Sequence, residues 1–404
     1  MIQISDVIRD CGIEARDYQT RVTSLALTHF ADGSNSVMIE SPTGSGKTVM
    51  GHLVAKCLQQ MYPDLVIGWV AMRRNLLSQA ARENVKIGVN NIHYVSMFDS
   101  NPERLLSARA AGKKILLIID EAQHDAASSM ASLHEAIQPD MILGLTATPF
   151  RTDSVQLCFN NVIKDAGIHQ LIQDGYLSRY NHWVIDNWTP ENVVRHYVAD
   201  PERWGKSVVF FLEWDQCEQF RTLLLQHEGE IREKLACRAD IPLGKSLVAS
   251  VRGGGSVNER ESILDAFACG DIAVLVNCMV LTEGFDCPTL TTAFVRDSVK
   301  GPTIQMAGRA FRKHPLASSV PKFAVKNIVQ SGNSKWPITK TAMASCQYQW
   351  METEWRSLTI NPKIDEIQNN VRSIIASIET SLPDFLNSKK GKRKVRFGDN
   401  ASNG

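Results

Sequence analysis

Between Ser36 and about Leu145, short apolar runs alternate with helical patterns: Val37 to Ile39, Leu65 to Val70, Ile92 to Val95, Ile115 to Ile119 and Met141 to Leu145. Runs that are apolar along both faces and separated by helices predict parallel strands covered on both sides. After the first run, Val49, Met50, Leu53, Val54, Cys57, Leu58 and Met61 recur on one helical face. A second block starts after Gly175 and Tyr176, with strand candidates Val208 to Leu212, Leu247 to Val251, Ile272 to Val276 and Thr292 to Val295. The fold class is therefore α/β, with two tandem parallel-sheet domains over 1–178 and 179–330. No long polar linker separates them between Asn160 and Arg179, so they are expected to sit close and share a cleft.

Past about Pro315 the α/β rhythm stops, and 331–387 reads as a helical extension. Asn361-Pro362 looks like an N-cap followed by proline at N1. Ile364, Ile367, Val371, Ile374 and Ile378 then form an apolar stripe, fit either for packing on its own domain or for a protein partner through 364–378. The last stretch, 388–404, reads as a basic disordered tail.

Composition narrows the function classes. A chain of 404 residues suggests two or three domains, and a net charge of +1 excludes a uniformly basic nucleic-acid coat or an acidic tail protein. Without the six basic side chains of Lys389, Lys390, Lys392, Arg393, Lys394 and Arg396, the chain stands at −5, so nucleic-acid affinity has to come from a local channel. Those six supply either a non-specific electrostatic tether or a solvated tail.

No apolar run reaches the roughly 18 to 20 residues of a membrane span, so no membrane partner is expected. The first residues lack a basic region followed by an apolar one. Nine cysteines without a Cys-x-x-Cys pair fit free thiols in a reducing compartment. The expected location is cytoplasmic.

Ser41-Pro42-Thr43-Gly44-Ser45-Gly46-Lys47-Thr48 joins the first strand to the amphipathic helix, as a phosphate-binding loop requires. Small residues let the backbone N–H groups of Thr43, Gly44, Ser45 and Gly46 and the helix N-terminus close around phosphate oxygens. Lys47 is placed to reach the β- and γ-phosphates and the Thr48 hydroxyl to bind Mg²⁺. The strict pattern starts with glycine where this chain has Ser41. Asp120 and Glu121 follow the strand Ile115 to Ile119, at the carboxyl end where ligands bind in open α/β sheets. Asp120 suits a metal role, usually through water, and Glu121 the orienting and deprotonation of an attacking water.

Asp120-Glu121-Ala122-Gln123 resembles the Walker B box of superfamily 2 DExH/DEAD-like helicases, and further boxes follow in the family's order. Arg16-Asp17-Tyr18-Gln19 resembles the adenine-reading motif, and Gly144-Leu145-Thr146-Ala147-Thr148-Pro149-Phe150-Arg151 the coupling motif. Thr282-Glu283-Gly284-Phe285-Asp286 and Gln305-Met306-Ala307-Gly308-Arg309-Ala310-Phe311-Arg312 resemble the fifth and sixth motifs. The resemblance spans Arg16 to Arg312 and is closest to the DNA-directed UvsW, RadD and XPB group.

The resemblance implies two RecA-like domains closing on ATP and Mg²⁺. Arg16 would stack on adenine while the Gln19 amide reads its edge. Gln305 belongs to the catalytic set, with Arg309 and Arg312 as arginine fingers whose three-residue spacing puts them on one helical face. Gly284 would admit close backbone approach, Asp286 would contact the ribose, and Thr146 and Thr148 would transmit nucleotide state. Met306 stands where many relatives carry another arginine. Gln123 replaces a common histidine, which puts in doubt a hydrogen bond from that position to the coupling threonines.

Arg73, Arg74 and Gln79, after the second strand, resemble the first nucleic-acid motif. Ser96 and Arg252 to Ser256 are further candidates. The function implied is an ATP-dependent helicase or translocase, with DNA favoured over RNA. An RNA helicase and an ATP-gated clamp without unwinding are the alternatives.

Overall fold

The computed structural model describes residues 4–72, 74–99, 101–124, 128–148, 159–238, 240–242, 244, 246–253, 257–278, 281, 287–334, 348–351 and 354–357. Arg73, Pro149 to Arg151, Gly254 to Ser256, Thr282 to Asp286 with Gly284 and Asp286, the 364–378 stripe and the 388–404 tail lie outside these residues.

The first sheet holds β1 (Ser36–Glu40), β2 (Val66–Ala71), β3 (Ile92–Ser96), β4 (Ile115–Asp120), β5 (Met141–Thr146) and β6 (Asn161–Ile163) in the order β3-β2-β4-β5-β1-β6. All of its pairings are parallel. Every residue of β2 and β4 is buried, as continuous apolar strands in a sheet covered on both faces require. The helix Lys47–Met61 differs from the one-faced expectation. Met50 to Ala55, Cys57 and Leu58 are all buried, whereas Met61 is 42% exposed at the helix end. Wedged against the sheet and the helix Asp17–Ala31, it buries even His52, whose ring stacks on Trp69 at 4.3 Å.

The second sheet contains β7 (Arg179–Ile185), β8 (Ser207–Phe211), β9 (Val248–Arg252), β10 (Val274–Cys278), β11 (Thr292–Val295) and β12 (Val325–Ser331), ordered β7-β12-β11-β8-β10-β9 and again all parallel. The strands β6, β7 and β12 go beyond the apolar runs of the sequence. The α/β rhythm does not end near Pro315: β12 lies between β7 and β11. Its run Val-Lys-Asn-Ile-Val-Gln-Ser is half polar and still buried, with Lys326, Asn327 and Gln330 hydrogen-bonded inside the fold. Trp183 Nε1 donates to Asn327 Oδ1 at 3.2 Å and Lys326 Nζ donates to the Pro288 carbonyl at 3.0 Å.

Within the expected helical extension, the described residues form an antiparallel hairpin, β13 (Tyr348–Met351) with β14 (Glu354–Ser357), lying beside β7. For this stretch the helical expectation is corrected: backbone pairing between two strands replaces an internal helical ladder.

One buried apolar cluster runs through both domains, from Tyr18 and Val37 to Tyr180, Ile304 and Phe311. At the joint, the Ser178 N–H donates to the Phe311 carbonyl at 2.8 Å, and the Tyr180 and Phe311 rings meet edge to face at 5.1 Å. Among the described residues, no helix is long and apolar enough to cross a membrane.

Candidate functional site

Gly44 and Gly46, between β1 and the helix Lys47–Met61, both have φ +84°. Left-handed residues in such a turn create the backbone concavity that accepts anions, and glycine adopts them without a Cβ penalty. Ser41, in place of the usual first glycine, ties the loop to its surroundings. Its Oγ donates to Ser45 Oγ at 2.8 Å and its N–H to the Thr146 carbonyl at 2.9 Å. From outside, the Tyr18 hydroxyl and Gln19 Nε2, the latter at 2.9 Å, both donate to the Ser45 carbonyl.

A cavity of about 360 Å³ opens above this loop. Thr43, Gly44, Gly46, Lys47, Thr48, Asp120 and Glu121 line it from the first domain; Arg309 and Arg312 line it from the second. Desolvation pulls the Lys47 ammonium below the usual lysine range; Glu121 and Asp120 oppose this, and Arg309 and Arg312 add to it. Arg312 is lowered to about 10, first by burial and then by Arg16, with Glu83 opposing. A cavity crowded with cations in this way suits a polyanion.

Asp120 ends β4 and is 7% exposed, and its Oδ1 accepts the Glu121 N–H at 3.1 Å. Glu121 itself has φ +54°, a left-handed conformation that costs a non-glycine residue energy and marks a site held by its surroundings. Gln123 Nε2 donates to Glu121 Oε2 at 3.2 Å, and Gln123 Oε1 accepts from Thr146 Oγ1 at 2.7 Å. Thr146 Oγ1 in turn accepts the Thr148 N–H at 3.0 Å. The doubt raised by the missing histidine is thereby corrected, since an amide carries both a donor and an acceptor and spans the gap.

Several residues sit differently from the sequence expectation. Arg309 starts a 3₁₀ turn, Arg309–Phe311, and Arg312 leaves it in extended backbone, so the two share a cavity rather than a helical face. Gln305 is buried on the preceding helix Lys300–Gly308, at 6% exposure. Gln19 turns its amide onto the loop, and its Oε1 accepts the Arg16 N–H at 3.0 Å. Arg16 faces the cavity with its guanidinium 5.0 Å from the centre of the Tyr176 ring. Gln79 lines this same cavity together with Leu76 and Glu83 of the helix Arg74–Ile87, apart from the nucleic-acid candidates it was grouped with.

Arg74 and Ser96 follow neighbouring strands: Ala71 at the end of β2 is in register with Ser96 at the end of β3. Phe98, two residues beyond, is 63% exposed. Arg252 sits at the end of β9, 5.1 Å from the Trp214 ring. Tyr176, Glu83 and Lys313 were not legible as cavity residues. Only Gly175-Tyr176 carried a signal, read as a domain boundary; the turn at Gly175, with φ +73°, brings Tyr176 to Arg16. No cluster of three or more His, Cys, Asp or Glu able to hold a metal occurs among the described residues. A Thr48 and Asp120 pair suits magnesium, which keeps its waters and phosphate ligands and needs few protein groups.

The family described as "Helicase conserved C-terminal domain" matches residues 190–314, and "Type III restriction enzyme, res subunit" matches 12–93 and 82–151. The chain belongs to the superfamily 2 helicases. It is 25% identical over 361 residues to irc3 of Schizosaccharomyces pombe, whose name gives it provisionally as a mitochondrial ATP-dependent helicase. That match covers 77% of this chain and 57% of the relative. A 51.5 kDa protein of a Lactococcus phage is 24% identical over 270 residues, with 64% of this chain and 58% of the phage protein covered. The chain thus spans little more than half the length of these curated relatives. Helicase MrfA, solved bound to DNA, shares the fold with TM-score 0.58 at 14% identity, over 82% of this chain and 48% of that one.

Proposed function

We propose that the chain is a nucleic-acid-stimulated ATPase that translocates along or opens DNA, hydrolysing ATP in the cleft between its RecA-like domains. The convergence of Lys47, Asp120 and Glu121 with Arg309 and Arg312 on one cavity carries this reading. The loop glycines and Lys47 bind the triphosphate, and Thr48 and Asp120 hold magnesium. Magnesium supplies Lewis-acid polarisation of the phosphoryl oxygens. Glu121 takes the proton of the attacking water, Gln305 belongs with the catalytic set, and Arg309 and Arg312 stabilise charge on the transferring phosphoryl group. Stacking on Arg16 and Tyr176 holds the base, with Gln19 fixing the loop beneath it.

Arg74 and Ser96, brought to one end of the first sheet, offer a phosphate-binding face, with Arg252 and Trp214 as a second-domain counterpart. The preference for DNA rests on the resemblance of the helicase boxes to the DNA-directed UvsW, RadD and XPB group, since solved structures of this fold include both DNA-bound MrfA, at TM-score 0.58, and RNA-bound Dbp5 of Saccharomyces cerevisiae, at TM-score 0.51. ATPase rates with single-stranded, duplex and branched DNA and with RNA test the proposal. Stimulation at least several-fold greater by DNA than by RNA is expected; the absence of any nucleic-acid stimulation would refute it.

A further inference from the structure

Five ionisable side chains of the second domain are almost completely enclosed: Lys206 at 0%, Lys326 at 1%, His314 at 3% and Arg238 at 4% exposure, with the Asp240 side chain at 1%. Three of the cations converge on four consecutive residues. Lys326 Nζ donates to the Pro288 carbonyl at 3.0 Å and to the Leu290 carbonyl. Lys206 Nζ donates to Thr289 Oγ1 at 2.7 Å and to the Ala268 carbonyl at 3.0 Å. Arg238 donates to Thr291 Oγ1 at 3.0 Å while its fork holds Asp240 at 2.9 and 2.7 Å. Every residue from Pro288 to Thr291 is thus gripped by a buried cation, and Pro288 lines the nucleotide cavity. His314, two residues beyond Arg312, closes the cluster 3.7 Å from Asp240.

Enclosing cations costs several kcal/mol each, and apolar residues of the same volume often fold as well or better. Stability therefore gives no reason to keep lysine at 206 and 326, whereas directional bonds to an irregular segment do.

The structure assigns Lys206, Arg238 and Lys326 as positioning residues that fix segment 288–291, and with it Pro288, as the second-domain wall of the nucleotide cavity. This assignment rests on the ATPase reading for its consequence in turnover, but the anchoring itself does not.

Lys326→Met and Thr289→Val, which leaves both lysines in place, test it in the full chain by amide hydrogen exchange, thermal unfolding and ATPase kinetics. Exchange at the amides of 289–291 is expected to accelerate in both, Pro288 having no N–H. The KM for ATP should rise about tenfold in Lys326→Met and less in Thr289→Val, with the unfolding midpoint unchanged or raised in Lys326→Met and lowered in Thr289→Val, which leaves the buried Lys206 ammonium without its hydroxyl partner. Unchanged exchange in both variants overturns the assignment, as does a KM change in Lys326→Met that only follows a lowered midpoint. A wild-type chain without ATPase activity counts against the proposed function alone; exchange at 289–291 then decides the anchoring.

Discussion

Gln123 Oε1 accepts a hydrogen bond from Thr146 Oγ1 at 2.7 Å while the same side chain's Nε2 donates to Glu121. One amide therefore joins the carboxylate proposed as the base at the end of β4 to the threonine at the end of β5, two paired strands. The expected outcome for Gln123→Ala is a fall in kcat of about tenfold, the order of one lost polar link, with ATP affinity kept. A double-mutant cycle with Thr146→Val should show coupling of about 1 kcal/mol; additive effects would mean that the bond carries no nucleotide signal.

Glu121→Gln keeps the left-handed turn and the hydrogen-bonding volume but removes the proton acceptor. We expect hydrolysis to fall by about 10² to 10⁴, with binding of a fluorescent ATP analogue unchanged. Turnover within a few-fold of wild type would exclude Glu121 as the base.

Gly308 has little room for a side chain: a Cβ there would stand 3.0 Å from Thr43 Cβ and Oγ1. This is a contact between the phosphate loop and the helix leading to Arg309. Gly308→Ala should push the domains apart at a cost of about 1 to 3 kcal/mol and raise the KM for ATP at least fivefold, measured by steady-state kinetics. An unchanged KM would show that the contact opens freely during turnover.

Burial is the main cause that lowers both His52 and His314 to about 4; at His314, Lys326 adds to it. Between about pH 6.5, where an unfolded histidine titrates, and pH 4, the unfolded chain binds more protons than the folded one. Stability from these two sites is fully present above pH 6.5 and is lost as pH falls through that window. Denaturant unfolding from pH 7 to pH 4 should show a steep decline that is shallower in His52→Gln and His314→Gln. Parallel curves for wild type and variants would assign the acid loss to other groups.

The strongly apolar strands were readable because a parallel sheet buried on both faces demands unbroken hydrophobicity, and β1 to β5 and β8 to β11 fall within a few residues of the expected runs. The strands β7 and β12 were not. Buried polar groups such as His182 in β7 and Lys326, Asn327 and Gln330 in β12 read as surface in one dimension, and only their enclosure in the fold distinguishes them. Cavity residues divided in the same way. Lys47, Asp120 and Glu121 are set by local strand-turn geometry and stood out in the chain. Tyr176, Glu83 and Pro288 reach the cavity through packing between distant segments.

What the amino-acid sequence determined by itself is therefore the α/β class, the phosphate loop and the order of the helicase boxes. Each depends on short-range rules of periodicity, small residues and strand ends. The tertiary structure alone decided that Gln123 would bridge Glu121 and Thr146, that Gln19 would brace the loop, and that three buried cations would grip 288–291. Those arrangements depend on which polar groups are brought within about 3 Å of one another away from water, and no spacing along the chain encodes that distance.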